Sequence, residues 1–156
     1  MRLLGRRAHS RVELRRKLTR RGFDPEEVEN ALRRLSEQGY VDDASFAAGH
    51  VRRRSANLGP MALSAELSAR GVDRVVAGAA LDGFDRPAQV AAATRLAERL
   101  AVHAPGGRRA HLSGSAGYRE LLNSVGAKLL RRGFSISVAQ EACRTVWAGT
   151  AGGSEP

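Results

Sequence analysis

A chain of 156 residues, 42% hydrophobic and 27% charged, is long enough to bury an apolar core, and its single cysteine excludes a disulfide framework within one chain. Its net charge of +10, from 26 Lys and Arg against 16 Asp and Glu, directs attention to acidic or phosphate-bearing partners. No apolar run approaches bilayer length, residues 1–10 lack the apolar stretch of a secretory signal, and a lone Cys143 suits a reducing compartment, so a cytoplasmic protein without membrane contact is expected.

In chain order, Arg2–His9 reads as a short first helix. Ser10-Arg11-Val12-Glu13 is a capping box that predicts a helix from Arg11 to Arg21, with Leu14 and Leu18 on its inward face. Gly22 supplies the left-handed conformation that ends it, and Asp24 caps a second helix in which Pro25 takes the first position. Asp42 and Asp43 are cap candidates for a helix over Ala44–Asn57. A second pair is built around Gly71, with Leu63 and Leu67 before it and Asp73 after it. Pro87–His103 is the next helix. Ala104–Gly117, with Pro105-Gly106-Gly107 and Ser113-Gly114-Ser115, reads as a flexible loop. A third pair surrounds Gly133, with Val125 and Leu129 before it and Ser135 after it, and Ala148–Pro156 reads as a frayed tail.

These elements repeat. Arg21-Gly22-Phe23-Asp24, Arg70-Gly71-Val72-Asp73 and Arg132-Gly133-Phe134-Ser135 align on their glycines, as do Ala31, Ala80 and Ala142, and Leu35, Phe84 and Val146. The expected fold is all-α, an elongated, curved tandem array of three three-helix repeats. Residues 1–38 form the first repeat with a short first helix, 39–86 the second, and 87–147 the third with a flexible loop at 104–117; a disordered tail follows at 148–156. Phe23, Phe46, Phe84, Phe134 and Trp147 are expected to anchor small cores of Leu, Val and Ala. Cys143 stands where Leu32 and Leu81 stand in the other copies, as a buried small hydrophobe.

Charge is uneven: residues 1–21 hold nine basic groups and one acid, whereas 22–48 hold seven acids and two basic groups. With Leu14 and Leu18 inward, Arg11, Arg15, Arg16, Lys17, Arg20 and Arg21 fall on outer faces. Arg52-Arg53-Arg54 and Arg131-Arg132 form further clusters, with Arg108-Arg109 in the loop; guanidinium groups grip carboxylate and phosphate by two-point hydrogen bonding. Some of these side chains simply keep a surface solvated, and Arg21, Arg70 and Arg132 at helix ends serve the helix dipole and terminal carbonyls. A base-reading role for the second helix is disfavoured, because Asp24, Glu26, Glu27 and Glu29 at its leading end would repel phosphates. His9, His50, His103 and His111 are scattered, no metal-ligand spacing or glycine-rich phosphate loop occurs, and Asp42-Asp43 are explained as caps; no enzyme, cofactor or metal is expected.

Three stretches carry a resemblance: Arg6-Arg7-Ala8-His9-Ser10-Arg11-Val12-Glu13-Leu14-Arg15-Arg16-Lys17-Leu18, then Gly39-Tyr40-Val41-Asp42-Asp43-Ala44-Ser45-Phe46-Ala47, then Gly59-Pro60 leading to Glu66-Leu67 and Arg70-Gly71-Val72. Together with Arg131-Arg132-Gly133-Phe134-Ser135 they closely resemble the bacterial RecX regulators of the RecA recombinase. The resemblance implies a nonenzymatic modulator, mainly an inhibitor, acting in homologous recombination, DNA repair and the SOS response. It would bind as a monomer in the groove of the RecA filament on DNA and limit filament growth, ATP hydrolysis and strand exchange. The candidate contacts to RecA or DNA are Arg11, Arg15, Arg16, Lys17, Arg20, Arg52, Arg53, Arg54, Arg131 and Arg132, with single- or double-stranded DNA as a further partner. The alternative is a sequence-nonspecific DNA-binding protein that acts without RecA.

Overall fold

The computed structural model describes residues 8–102 and 114–151. Among them the chain forms nine α-helices and no strand: α1 (Arg11–Arg20), α2 (Pro25–Glu37), α3 (Asp43–Arg54), α4 (Pro60–Ala69), α5 (Arg74–Asp82), α6 (Arg86–Val102), α7 (Gly114–Leu121), α8 (Ala127–Arg131) and α9 (Ile136–Ala151). A π-helical turn over Leu122–Gly126 joins α7 to α8 without a break. Residues 8–10 are not helical, and the rest of the first expected helix lies outside the described residues, as do Arg108 and Arg109.

The three glycine turns are built alike. Gly22, Gly71 and Gly133 have φ of 86°, 77° and 84°. Their N–H groups reach Thr19, Ser68 and Leu130 carbonyls at 3.0, 2.8 and 2.9 Å, and the following Phe23, Val72 and Phe134 N–H groups reach back to Leu18, Leu67 and Leu129 at 3.4, 3.1 and 3.2 Å. This is the left-handed closure that satisfies carbonyls at a helix end and turns the chain within one residue. The next helix starts on a side-chain cap each time: Asp24 accepts from Glu26 N–H at 2.9 Å, Asp73 from Val75 N–H at 2.8 Å, and Ser135 from Val138 N–H at 3.3 Å.

Two compact units result: residues 1–52 with 64–83, and residues 53–63 with 84–156. In the first, α1 packs on α2 through Leu14, Val28, Leu32 and Val41, with Leu18 and Leu35 at the edge. In the second, α6 packs along α9, and Leu96, Ala97, Val125, Leu129, Phe134, Val138, Ala142, Cys143 and Trp147 are buried. Position six after the repeat glycine is buried in every copy, as Val28, Ala77 and Ala139.

Each unit contains one joint of the same design. Ser10, twelve residues before Gly22, caps α1 by accepting from Glu13 N–H at 3.1 Å and donates its hydroxyl to Arg70 O at 2.6 Å. Gly59, twelve residues before Gly71, donates its N–H to Arg132 O at 2.8 Å, and Met61 N–H follows to Gly133 O at 3.2 Å. Thus the start of one repeat's first capped helix seats the glycine turn of the next repeat. The seats are tight: a Cβ on Gly59 would stand 2.3 Å from Gly133 O, and a Cβ on Gly71 2.5 Å from Val12 Cβ.

Four local expectations are revised. Phe23 does not anchor a core: it is 50% exposed, and none of the described residues packs over Gly22 beside it. The expected loop at 104–117 is helical from Gly114, since buried Leu121 and the Tyr118 ring against Trp147 (centroids 5.9 Å apart) stabilise α7 despite its glycines; residues 103–113 lie outside the described residues. The tail beginning at Ala148 is helical as far as Ala151, continuing past buried Val146 and Trp147. Of the two aspartates, only Asp42 caps α3, accepting from Ala44 N–H at 2.9 Å and Ser45 Oγ at 2.7 Å, whereas Asp43 accepts from Arg11 N–H at 2.8 Å at the start of α1.

Gly59→Ala forces backbone apart at a joint and is expected to cost about 1–3 kcal/mol, the usual range for overpacking. Gly78→Ala, at a helical site open to solvent, should instead stabilise by about 0.4–1 kcal/mol. Urea unfolding followed by circular dichroism separates the two; equal midpoints would show that the joint is not load-carrying.

Candidate anion-binding surface

The arginines predicted as contacts fall into two chemical situations. On α1, Arg15 grips Glu29 of α2 through Nε to Oε1 and through Nη2 to Oε2 at 3.0 Å, while Arg11 Nη2 approaches the same carboxylate at 3.5 Å. The hydrogen bond from Arg15 holds the Glu29 carboxyl below its ordinary value of 4.5, and Glu29 in turn raises the Arg15 guanidinium. Lys17 Nζ lies 3.3 Å from Nε2 of buried His9, whose Nδ1 is 3.3 Å from Glu13 Oε2. Glu13 Oε1 also accepts from Arg70 Nη1 at 2.8 Å. The α1 basic face is therefore tied into local pairs, with Arg16 reaching Ala69 O at 3.5 Å and Arg20 exposed.

The second situation is in the unit of residues 53–63 and 84–156. Its centre is the short α3–α4 connection, where Asn57 and Leu58 N–H groups fold back onto Arg54 O at 2.9 and 3.0 Å. Arg99 of α6 donates Nη2 to Asn57 Oδ1 at 2.9 Å and to Ala56 O at 3.3 Å, and Arg132 donates Nη1 to Asn57 O at 3.4 Å. One connection thus gathers guanidinium groups from α6 and from the third glycine turn beside the exposed C-terminal arginines Arg53 and Arg54 of α3. Arg131 is exposed next to Arg132; Arg52, exposed on α3, belongs to the other unit. Cations here meet carbonyl oxygens at the ends of helices, which favours and spaces them. Such an array suits a phosphate backbone or an acidic protein surface.

Arg99 was not among the predicted contacts. It belongs to no run of adjacent basic residues, and only its place in the last turn of α6 hinted that it would reach across to another element. Among the described residues no group of three or more His, Cys, Asp or Glu is placed to hold a metal, and no helix is long and apolar enough to cross a membrane. His50 stacks on Phe46 (centroids 6.2 Å, interplanar 19°) and bonds to Glu66 at 2.7 Å, a packed core contact. Cys143 is buried, and desolvation pushes its thiol up to about 11.

Residues 1–35 match the family model of the RecX first three-helix domain, and residues 42–81 that of the RecX second three-helix domain. "Regulatory protein RecX" of Mycobacterium ulcerans is 39% identical over 143 residues, spanning 90% of this chain and 78% of that protein. The chain belongs to the RecX family. The same-named protein of Mycobacterium sp. (strain JLS) is 39% identical over 153 residues, 96% of this chain and 80% of its own length. A crystal structure of RecX from Lactobacillus salivarius shares the fold with a TM-score of 0.76 at 23% identity, covering 93% of this RecX-family chain and 90% of that one. The all-helical tandem arrangement of three-helix domains is thereby a family property, and the relatives are named as regulatory proteins.

Glu29→Gln should give a small drop in Tm at neutral pH. Because the folded Glu29 carboxyl titrates below 4.5, that difference is full above 4.5 and disappears as pH falls through the lowered folded value. Thermal melts across the acid range check the sign. The buried Cys143 thiol is expected to resist an aromatic disulfide reagent at pH 8 in the native protein and to react at once in denaturant.

Proposed function

We propose that this RecX-family chain is a nonenzymatic regulator of the RecA recombinase, acting in the cytoplasm as a monomer within recombinational DNA repair and the SOS response. It binds in the groove of the RecA filament on DNA and limits filament growth, ATP hydrolysis and strand exchange. Family membership supports the regulatory role. The observation that carries a filament reading is the arginine array at the α3–α4 connection, where Arg99 and Arg132 converge on Asn57 next to Arg53, Arg54 and Arg131. Several guanidinium groups held at spaced points on one unit can engage a nucleoprotein surface simultaneously, and such contacts reinforce one another through effective concentration.

This reading ranks the candidate residues. Arg53, Arg54, Arg131 and Arg132 stand as the foremost contacts, joined by Arg99, with Arg52 a separate candidate on the other unit. Arg16 and Arg20 follow, since they are exposed on α1. Arg11, Arg15 and Lys17 act chiefly in placing α1, through Glu29 and His9. A glutamate at position 15 would face Glu29 and loosen α1 from α2, so charge reversal there perturbs folding along with binding.

The test is a titration of the protein into RecA assembled on single-stranded DNA, with ATP hydrolysis followed at fixed salt and a parallel curve on DNA alone. Inhibition well below the concentration that coats DNA is the expected result; loss of hydrolysis only at coating levels would favour direct DNA competition. Arg53→Glu with Arg131→Glu, both at exposed positions, should leave Tm unchanged and raise the half-inhibitory concentration roughly tenfold or more. Unchanged inhibition by that double variant would remove the array from the site.

A further inference from the structure

The three glycine turns have nearly the same backbone, yet they differ in what lies against them. At Gly71 a Cβ would meet Val12 at 2.5 Å, and at Gly133 it would meet Ala62 N at 2.3 Å; at Gly22 none of the described residues lies within 4 Å. The contrast extends along the turn. Leu67 and Leu129 are fully buried and Leu18 is not; Val72 and Phe134 are 6% and 1% exposed and Phe23 is 50% exposed. The carbonyls of Arg70 and Arg132 each accept a hydrogen bond from the start of a helix, from Ser10 Oγ and Gly59 N respectively. Arg21 is the third residue of this series, and its side chain is exposed.

We infer that the Arg21-Gly22-Phe23 turn is an open copy of the joint that is closed twice inside the chain, and that it takes the N-terminal end of a helix from a partner protein. The closed copies define the chemistry of the occupant. A hydroxyl or glycine N–H at the cap donates to the turn carbonyl, as Ser10 and Gly59 do. A small or β-branched residue near the helix start fills the space over the glycine, as Val12 and Ala62 do. A carboxylate three residues after the cap pairs with the arginine before the glycine, as Glu13 does with Arg70 at 2.8 Å. The best fit is thus a Ser-x-Val-Glu helix start. Charge favours it, because an acidic first turn meets Arg20 and Arg21 at the C-terminal end of α1. Burying the Phe23 ring adds apolar contact.

Among the described residues, none of the three equivalent positions offers a second copy a free end. Ser10 and Gly59 are each occupied, and the equivalent position in the third repeat, Leu121, lies inside the uninterrupted run from α7 through the π turn, with 4% exposure. The occupant we commit to is a helix start of a partner protein, and this does not rest on the filament reading.

The probe is a stapled helical peptide whose first turn reads Ser-Ala-Val-Glu, titrated into the isotope-labelled full chain and followed by amide NMR shifts. Shifts centred on residues 18–24, with a Kd on the order of 1 mM or tighter, are expected. A peptide with Ala for Ser and Gln for Glu should bind roughly tenfold more weakly. Phe23→Ser should weaken binding by a similar factor at unchanged Tm, since the side chain is already exposed. Shifts absent from residues 18–24, or equal binding of both peptides, would overturn the inference. So would shifts of these amides on concentrating the protein alone, which would place a second copy at the turn.

Discussion

A helix that must stop, reverse and start again within four residues needs one backbone position with positive φ, and a β-carbon at that position is both strained and in the way. Gly22, Gly71 and Gly133 meet the first need three times. At Gly71 and Gly133 they also meet a second, because the turn is pressed directly onto a helix start from the preceding repeat. The close approach puts peptide carbonyls within reach of Ser10 Oγ and Gly59 N, so that a helix end whose carbonyls lack donors is satisfied by donors at a helix start. Side-chain packing of Leu, Val and Ala around α1–α2 and α6–α9 then has a fixed frame to fill.

The same economy shapes the electrostatics. An excess of arginine would be costly if every guanidinium faced another, and the chain disperses them by giving each local job a specific oxygen. Glu29 orders Arg11 and Arg15, Glu13 orders Arg70, and Ser137 and Glu141 hold Arg86. These are exposed pairs of modest individual worth, and their effect is mainly on side-chain direction. At the α3–α4 connection the oxygens are instead neutral carbonyls and an amide, so the positive charge is positioned without being cancelled by those partners.

Repetition made the fold readable in the sequence. Gly22, Gly71 and Gly133 with their apolar residues four and eight positions earlier announce three helix pairs, and Asp24, Asp73 and Ser135 announce where each second helix starts. Residues whose fate depends on what lies far away in sequence were harder to read. Phe23 and Phe134 occupy the same repeat position, yet only Phe134 is covered. Gly114 and Gly117 look like loop residues until the Tyr118–Trp147 contact is known. Arg99 is not in a run of adjacent basic residues that would mark it, and Arg15 belongs to a conspicuous cluster but is committed to Glu29. Local grammar sets the helices; long-range partners decide which surfaces remain available.

The π turn at Leu122–Gly126 has a geometrical meaning of its own. In all three repeats the residues four, eight and twelve before the glycine point inward, and in the third the series extends to Gly117, so that Gly117, Leu121, Val125 and Leu129 are buried at strict intervals of four. An ordinary α-helix advances about 40° past a full turn over four residues, which over three such steps would rotate Gly117 about 120° away from Leu129. Widening one turn takes up that phase error and keeps a long stripe aligned on one side. The first two repeats, whose helices begin just after the residue at minus twelve, never accumulate enough rotation to need the correction. The wide turn is thus the geometric cost of extending the third repeat's helix upstream beyond the length its siblings use.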